Sequence, residues 1–533
     1  MLILHNARIH TLDPQQPHAQ ALAIQLAPEN QGRILALGDL HLLQKEFPFA
    51  RLEDMRGRVL LPGLTDAHVH FRHYALGLTS VDCDTATRAE CLERVRAAAS
   101  RAQPGAWLRG HGWRQNDWPE GFGSAFLLDA VAPHNPVYLS AASMHAAWVN
   151  SAALKAAGVT AQTADPPNGQ IQRDARGQAT GILFEVAMQL VSVAIPASTL
   201  EEDCTAMLAA QAKLWSYGLT GLHDFDRARS FRALQTLRAR RDLKLRLIKN
   251  IPVESLGAAI EVGLSSGFGD DLLRLGAVKV FADGALGPRT AAMFDPYEGE
   301  PENRGMLFVD REQLLEMGQR AALGSLSLTV HAIGDRAVHE VLDAFEQLRA
   351  FERSQNLPVR RHRIEHVQLL HPKDQARLGQ LGLVASMQPL HATADMLAAE
   401  KYWGTRVRTS YAWQTQLDSG AVLAFGSDAP VESPNPFLGL HAAVTRRRAD
   451  GSPGPQGWLP EQRLKLADAL TAFTYGPAYA AGMEDKLGRL APGYLADLIV
   501  LDKNPFEIDP HELRHLKPVS TMLGGSWVWG EGQ

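Results

Sequence analysis

Apolar positions along the chain follow two periods, and the period changes with position. The first 60 residues carry short β-like runs, LILHNARIHTL, AQALAIQL and GRILALGDL, separated by Pro, Asn and Gly turns. The same texture returns near the other end in GRLAPGYLADLIVLD, residues 488 to 502. Two such segments at opposite ends predict one small β domain assembled from residues 1–60 and 485–533, with a large domain inserted between them.

Inside that frame, strand-like runs alternate with segments of helical period, the pattern of a parallel sheet or barrel. Eight runs are expected as strands: 59–70, 218–225, 243–251, 275–284, 326–335, 361–368, 382–389 and 421–430. Between the fifth and sixth, DRAVHEVLDAFEQL places Val338, Val341, Leu342, Phe345 and Leu348 on one helical face, with Asp335 available as N-cap. Eight strands with helical crossovers predict an α/β fold, a (β/α)8 barrel of the TIM type over residues 61–484. The interval after His70 is too long for a crossover, so an inserted subdomain is expected at about 85–198, with a hairpin-rich stretch at 165–181.

Composition narrows the function classes without naming one. Of 533 residues, 45% are hydrophobic and 21% charged, with a net charge of -5, so no basic excess points to nucleic acid or an anionic membrane. A small-molecule substrate is the expected partner, with a homodimer the commonest assembly. Three cysteines without C-x-x-C spacing favour a reducing compartment. With no signal-peptide pattern and no long apolar run, a cytoplasmic location is expected.

Chemistry enters at the C-terminal ends of the expected strands, where barrel enzymes keep their active sites. The first strand brings His68 and His70, the fourth Lys279, the fifth His331, the sixth His366 and the eighth Asp428. His68 and His70, two apart on a strand, point to one side and can share a cation, and Asp66 can orient an imidazole. Each position has a plainer reading: chance pairing among 20 histidines, a hydrogen-bonded core histidine, or a Lys279 that snorkels to the rim or pairs with Asp283. Their shared placement at strand ends favours one metal site.

The segments PGLTDAHVH, VKVFADGALGPRTAAM, VHAIGD, RIEH, SMQPLHATAD, FGSDAPV and GRLAPGYLADLIVLD together resemble the amidohydrolase superfamily, in its amidohydrolase 3 branch of YtcJ-like proteins and N-substituted formamide deformylases. The resemblance spans nearly the whole chain. It implies a metal-bearing barrel, a composite β-sandwich from both termini, and an insertion carrying GHGWRQNDW and SMHAAWVNSAAL. It also implies His68, His70, His331, His366 and Asp428 as ligands of one or two divalent cations, zinc first, with Lys279 N6-carboxylated and bridging two metals. Metal-bound hydroxide then attacks an amide-like C–N bond, an N-substituted formamide or N-acyl compound, with Asp428 as general acid/base.

Two alternatives stand beside this. Deamination of an aminated heterocycle would want a glutamate just after His331, where the chain has HAIGD. A non-catalytic binding scaffold would not need so complete a ligand set. For substrate contact, Trp113, His145, Arg289, Gln388 and His391 are candidates, each equally readable as packing or support.

Overall fold

The structure, a computed structural model, describes residues 1–114, 118–141, 146–167 and 169–530. It divides into two compact units, Met1–Arg72 with Met207–Gln533, and His73–Ala206.

In the first unit eight parallel strands follow one another in chain order around a single sheet: Leu64–Val69, Leu219–Asp224, Arg246–Pro252, Leu273–Phe281, Leu328–Ala332, Arg363–His366, Val384–Met387 and Val422–Phe425. The ring closes at its C-terminal rim, where the Asp428 N–H donates to the His68 carbonyl at 2.7 Å and the His70 N–H to that of Ala429 at 2.8 Å. This is the α/β barrel that the strand and helix periods predict. Its crossover helix Asp335–Ser354 buries Val338, Val341, Leu342, Phe345 and Leu348 as expected. The N-cap, however, is Gly334; Asp335 is the first helical residue and accepts from the backbone N–H of Phe294 at 3.0 Å.

The apolar run at 59–70 is not one barrel strand. Val59–Pro62 pairs antiparallel with Leu498–Leu501 and parallel with Arg8–His10, in a six-stranded sheet drawn from both ends of the chain. A four-stranded sheet holding Leu2–His5 and Ala21–Gln25 lies in the same unit, and Leu4, Ile24, Leu60, Leu498 and Met522 share one apolar core. The barrel strand begins only at Leu64, after Gly63. Both halves of the run are buried, so hydropathy does not reveal the break.

Gly63 marks the break sterically: a Cβ there would lie 2.4 Å from Thr220 Oγ1. Gly63→Ala should therefore cost about 1–3 kcal/mol through overpacking, read as a lowered denaturation midpoint. An unchanged midpoint would show that the Thr220 side chain yields freely.

The second unit carries its own six-stranded sheet, in the order Gly169–Arg173, Ala179–Glu185, Ala146–Val149, Val137–Ala141, Leu108–Trp113, Val81–Asp82. Its edge strand Val81–Asp82 pairs with Gly110 and His111, so the unit starts before the expected residue 85. The hairpin expected at 165–181 is the antiparallel pair Gly169–Arg173 with Ala179–Glu185. Among the described residues, no helix is long and apolar enough to cross a membrane.

Candidate metal centre

The strand ends of the barrel converge on a cavity of about 320 Å³ whose wall includes His68, His70, Lys279, His331, His366, His391 and Asp428. His70 stands one residue beyond the first strand and Asp428 three beyond the eighth. The exits of the eighth and sixth strands are tight. Asp428 has φ 60° and His366, ending the sixth strand, has φ 75°. Left-handed conformations at residues other than glycine cost about 1–3 kcal/mol and gather at functional sites. Gly426 serves the same corner: a Cβ there would sit 2.5 Å from the His68 nitrogen.

Asp428 is the hub. Its Oδ1 lies 3.4 Å from His70 Nε2 and 3.6 Å from His68 Nε2, and its Oδ2 lies 3.8 Å from His391 Nε2. The donor atoms of His68, His70 and Asp428 fall within 4.8 Å of one another, as do those of His366, His391 and Asp428. Lys279 Nζ lies 4.8 Å from the ring centre of Phe225 and 4.7 Å from that of Phe281, and Phe225 in turn stacks on His68 with centroids 3.8 Å apart.

Outer partners hold the rings. His68 Nδ1 donates to Glu365 Oε2 at 2.6 Å, His70 Nδ1 to Asp226 Oδ1 at 3.2 Å, and His366 Nδ1 to Gln388 Oε1 at 2.8 Å. For His68 and His366 this turns Nε2 away from the bonded side, the arrangement in which ligating histidines are oriented, while His70 Nε2 faces Asp428 Oδ1 at 3.4 Å. His331 is turned the other way: its Nε2 donates to the Gly284 carbonyl at 2.8 Å, leaving Nδ1. The donor set thus fits a divalent cation: buried imidazoles with one nitrogen fixed and one presented, around a carboxylate.

Burial governs the protonation of these groups. It lowers His68 to about 4 and His331 to about 3, helped by the nearby Lys279 charge, so both are neutral at pH 7 and keep a lone pair. His70 goes the other way, to about 10, because its bonds to Asp226 and Asp428 outweigh burial. Lys279 is lowered by burial to about 8, with Glu365 and Asp428 opposing the shift.

Several expected roles change. Asp66 does not orient an imidazole; it accepts from the backbone N–H groups of His68 at 3.1 Å and Ser427 at 2.9 Å, so it shapes the turn. Asp283 does not pair with Lys279; it accepts from the N–H groups of Ala292, Ile333 and Gly334. Trp113 is 1% exposed in the core of the inserted unit, with its indole N–H donated to the Leu139 carbonyl, so it offers no face to a ligand. Arg289 pairs with Glu300 at 2.7 Å and stands two residues past Gly287 of the cavity wall. Gln388 Oε1 accepts from His366, while its buried Nε2 has no hydrogen-bond partner. His391 does line the cavity, and its Nε2 has no hydrogen-bond partner. His145 lies outside the described residues.

Glu365 and Asp226 were not anticipated from the sequence. Glu365 is fully buried, accepts from the Thr329 hydroxyl and pairs with Arg363 Nε at 2.8 Å. A glutamate inside a four-residue buried strand, two after an arginine, was the available signal.

With this geometry in view, the comparisons converge. A protein-family model described as the amidohydrolase family matches residues 51–529. Protein LONG AFTER FAR-RED 3 of Arabidopsis thaliana is 33% identical over 99% of this chain and 91% of its own. N-substituted formamide deformylase of Arthrobacter pascens is 29% identical, covering 98% of this chain and 97% of its own. A crystal structure of an uncharacterized metal-dependent hydrolase from Pyrococcus furiosus superposes with a TM-score of 0.77 at 27% identity, covering 95% of this chain and 99% of that one. Barrel, ligand-like rim and whole-length similarity agree, and the chain belongs to the amidohydrolase family of hydrolytic enzymes.

Proposed function

We propose that this hydrolase cleaves the C–N bond of an amide-like small molecule, with an N-substituted formamide or related N-acyl compound as the first substrate class to test. The observation that carries the reading is the Asp428 carboxylate, facing His68, His70 and His391 at 3.4–3.8 Å on the wall of a small-molecule-sized cavity. The similarity over full length to an N-substituted formamide deformylase supports the substrate class.

His68, His70, His331, His366 and Asp428 would hold the cation, zinc being the first choice for imidazole and carboxylate donors. When bound, such a cation supplies Lewis acidity, polarising a carbonyl oxygen and bringing the pKa of water down toward ~7. Asp428 takes the proton of the attacking water and returns it to the departing nitrogen. Glu365 and Gln388 keep the His68 and His366 imidazoles in the presenting tautomer, and Asp226 holds the His70 ring in place. His391 Nε2, without a partner, is free to bond a polar group of the substrate.

Lys279 carries the finer point. Buried against two aromatic rings and lowered to about 8, it holds a neutral fraction of its amine near pH 7. That amine can attack carbon dioxide, forming an N–C bond and releasing a proton, and the resulting carbamate would add anionic oxygen donors to the residues that would hold the cations. Metal content measured with intact mass under gentle, carbonate-buffered conditions tests this: two cations per chain and an added carboxylate are expected, and an unmodified lysine with one cation overturns the bridged form. A panel of formamides, N-acyl amino acids, cyclic imides and aminated heterocycles tests the reaction. Turnover of the heterocycles alone would replace C–N hydrolysis of amides with deamination.

A further inference from the structure

The far end of the barrel holds a second cavity, of about 190 Å³, walled by residues at the N-terminal ends of the fourth and sixth strands and by part of the third. In barrels of this type that face serves stability rather than chemistry, and its charges are expected to be paired off. Here four arginines reach the wall: Arg274, Arg360, Arg361 and Arg363. Two of them are balanced. Arg361 pairs with Glu484, and Arg363 with Glu365 at 2.8 Å.

The other two are not. Among the described residues, no carboxylate lies within 4.0 Å of Arg274 or Arg360, and the Nε of each is buried without a hydrogen-bond partner. Glu352, the carboxylate that acts on Arg360 from a distance, is already committed to Arg349 at 2.7 Å and His362 at 3.0 Å. Burial lowers Arg360 from its ordinary value, as expected of a guanidinium short of a counter-ion.

An independent observation comes from Asn250, which lies on the same wall and is 2% exposed. Its Oδ1 accepts from the Ala277 N–H at 2.8 Å, which fixes the amide orientation, while its Nδ2 donates to nothing. A buried amide N–H₂ without an acceptor costs about 1–3 kcal/mol, so such donors in a cavity await an acceptor. Two glycines open the space: a Cβ on Gly267 would come within 3.1 Å of Arg274 Nη2, and one on Gly276 within 2.4 Å of Asn250 Oδ1.

Two half-buried guanidinium groups with no carboxylate partner and a buried unpartnered amide, all donors, define a ligand that only accepts. We propose that this cavity is a binding site for a small phosphate-class oxyanion, held by the forks of Arg274 and Arg360 and by Asn250 Nδ2. The volume lies below the ~300–1,000 Å³ of pockets for drug-sized ligands, which points to inorganic phosphate or the phosphoryl end of a small ester whose remainder stays outside.

Titration calorimetry of the metal-loaded full chain with inorganic phosphate, at ionic strength held constant with chloride, tests the site. One saturable binding event is expected, weakened about tenfold or more in the Arg274→Gln/Arg360→Gln double variant. A parallel titration with glycerol phosphate separates free ion from ester: tighter binding of either, lost in the double variant, assigns the source. Phosphate binding that persists unchanged in the double variant belongs elsewhere, for instance on the metal, and overturns the proposal, as does the absence of saturable binding to the wild type. Should the double variant fail to fold, the charge-retaining Arg274→Lys/Arg360→Lys pair replaces it, and the same weakening is expected because an ammonium cannot offer the paired fork.

Discussion

Asp428→Asn should lower kcat by roughly 10²–10⁴-fold at full metal occupancy while leaving the folded content unchanged. The carboxylate lies on the cavity wall within 3.4–3.8 Å of three imidazoles. An amide of the same shape preserves the packing but cannot accept a proton and give it back. Because Asp428 also counts among the expected ligands, metal must be measured in the same samples, and the loss read where added zinc no longer raises the rate. A variant retaining kcat within about tenfold of the wild type at saturating metal would remove Asp428 from the proton-transfer role.

The second large effect is expected at a residue that touches no substrate. Glu365→Ala should destabilise the fold by about 3–5 kcal/mol, because it strands the Arg363 guanidinium inside the barrel. Arg363 is 2% exposed, and its other contacts are the neutral groups of His223, Ala67 and Ser386 at 2.7–2.8 Å. The same change releases His68 Nδ1, so metal affinity should fall about 10–100-fold, as it does when an outer partner of a ligating histidine is lost. Glu365→Gln separates the two: its side-chain oxygen can still accept from His68, so most of the metal affinity should survive while the stability loss remains. Denaturant unfolding of the metal-free proteins and competitive chelation of the loaded ones measure each part. If both quantities stay at wild-type values in the alanine variant, Glu365 holds neither.

The cavity rim was legible because His68, His70, His331, His366 and Asp428 each fall at or just past the end of an apolar run, where a parallel strand delivers side chains to the mouth of a barrel. What supports the rim was not. The contacts from His68 to Glu365 and from His70 to Asp226 span 297 and 156 residues, and no local pattern encodes a partner at that distance. Trp113 misled for a related reason: an aromatic in a glycine-rich motif looks like a pocket wall until the carbonyl that takes its N–H is known. The run at 59–70 hid a boundary because both sheets bury it, and hydropathy records burial without recording against what.

The seam that shuts the barrel has a consequence for the order of events during synthesis. Asp66 and Ser427 bond across 361 residues, and the same junction brings Asp428 to His68 and His70. Until the ribosome has released the eighth strand, the two histidines of the first strand face an open edge without the Asp428 carboxylate. A growing chain can therefore meet divalent cations for most of its synthesis without being able to retain one tightly, and the ring acquires its grip on metal in the same step that makes it a ring.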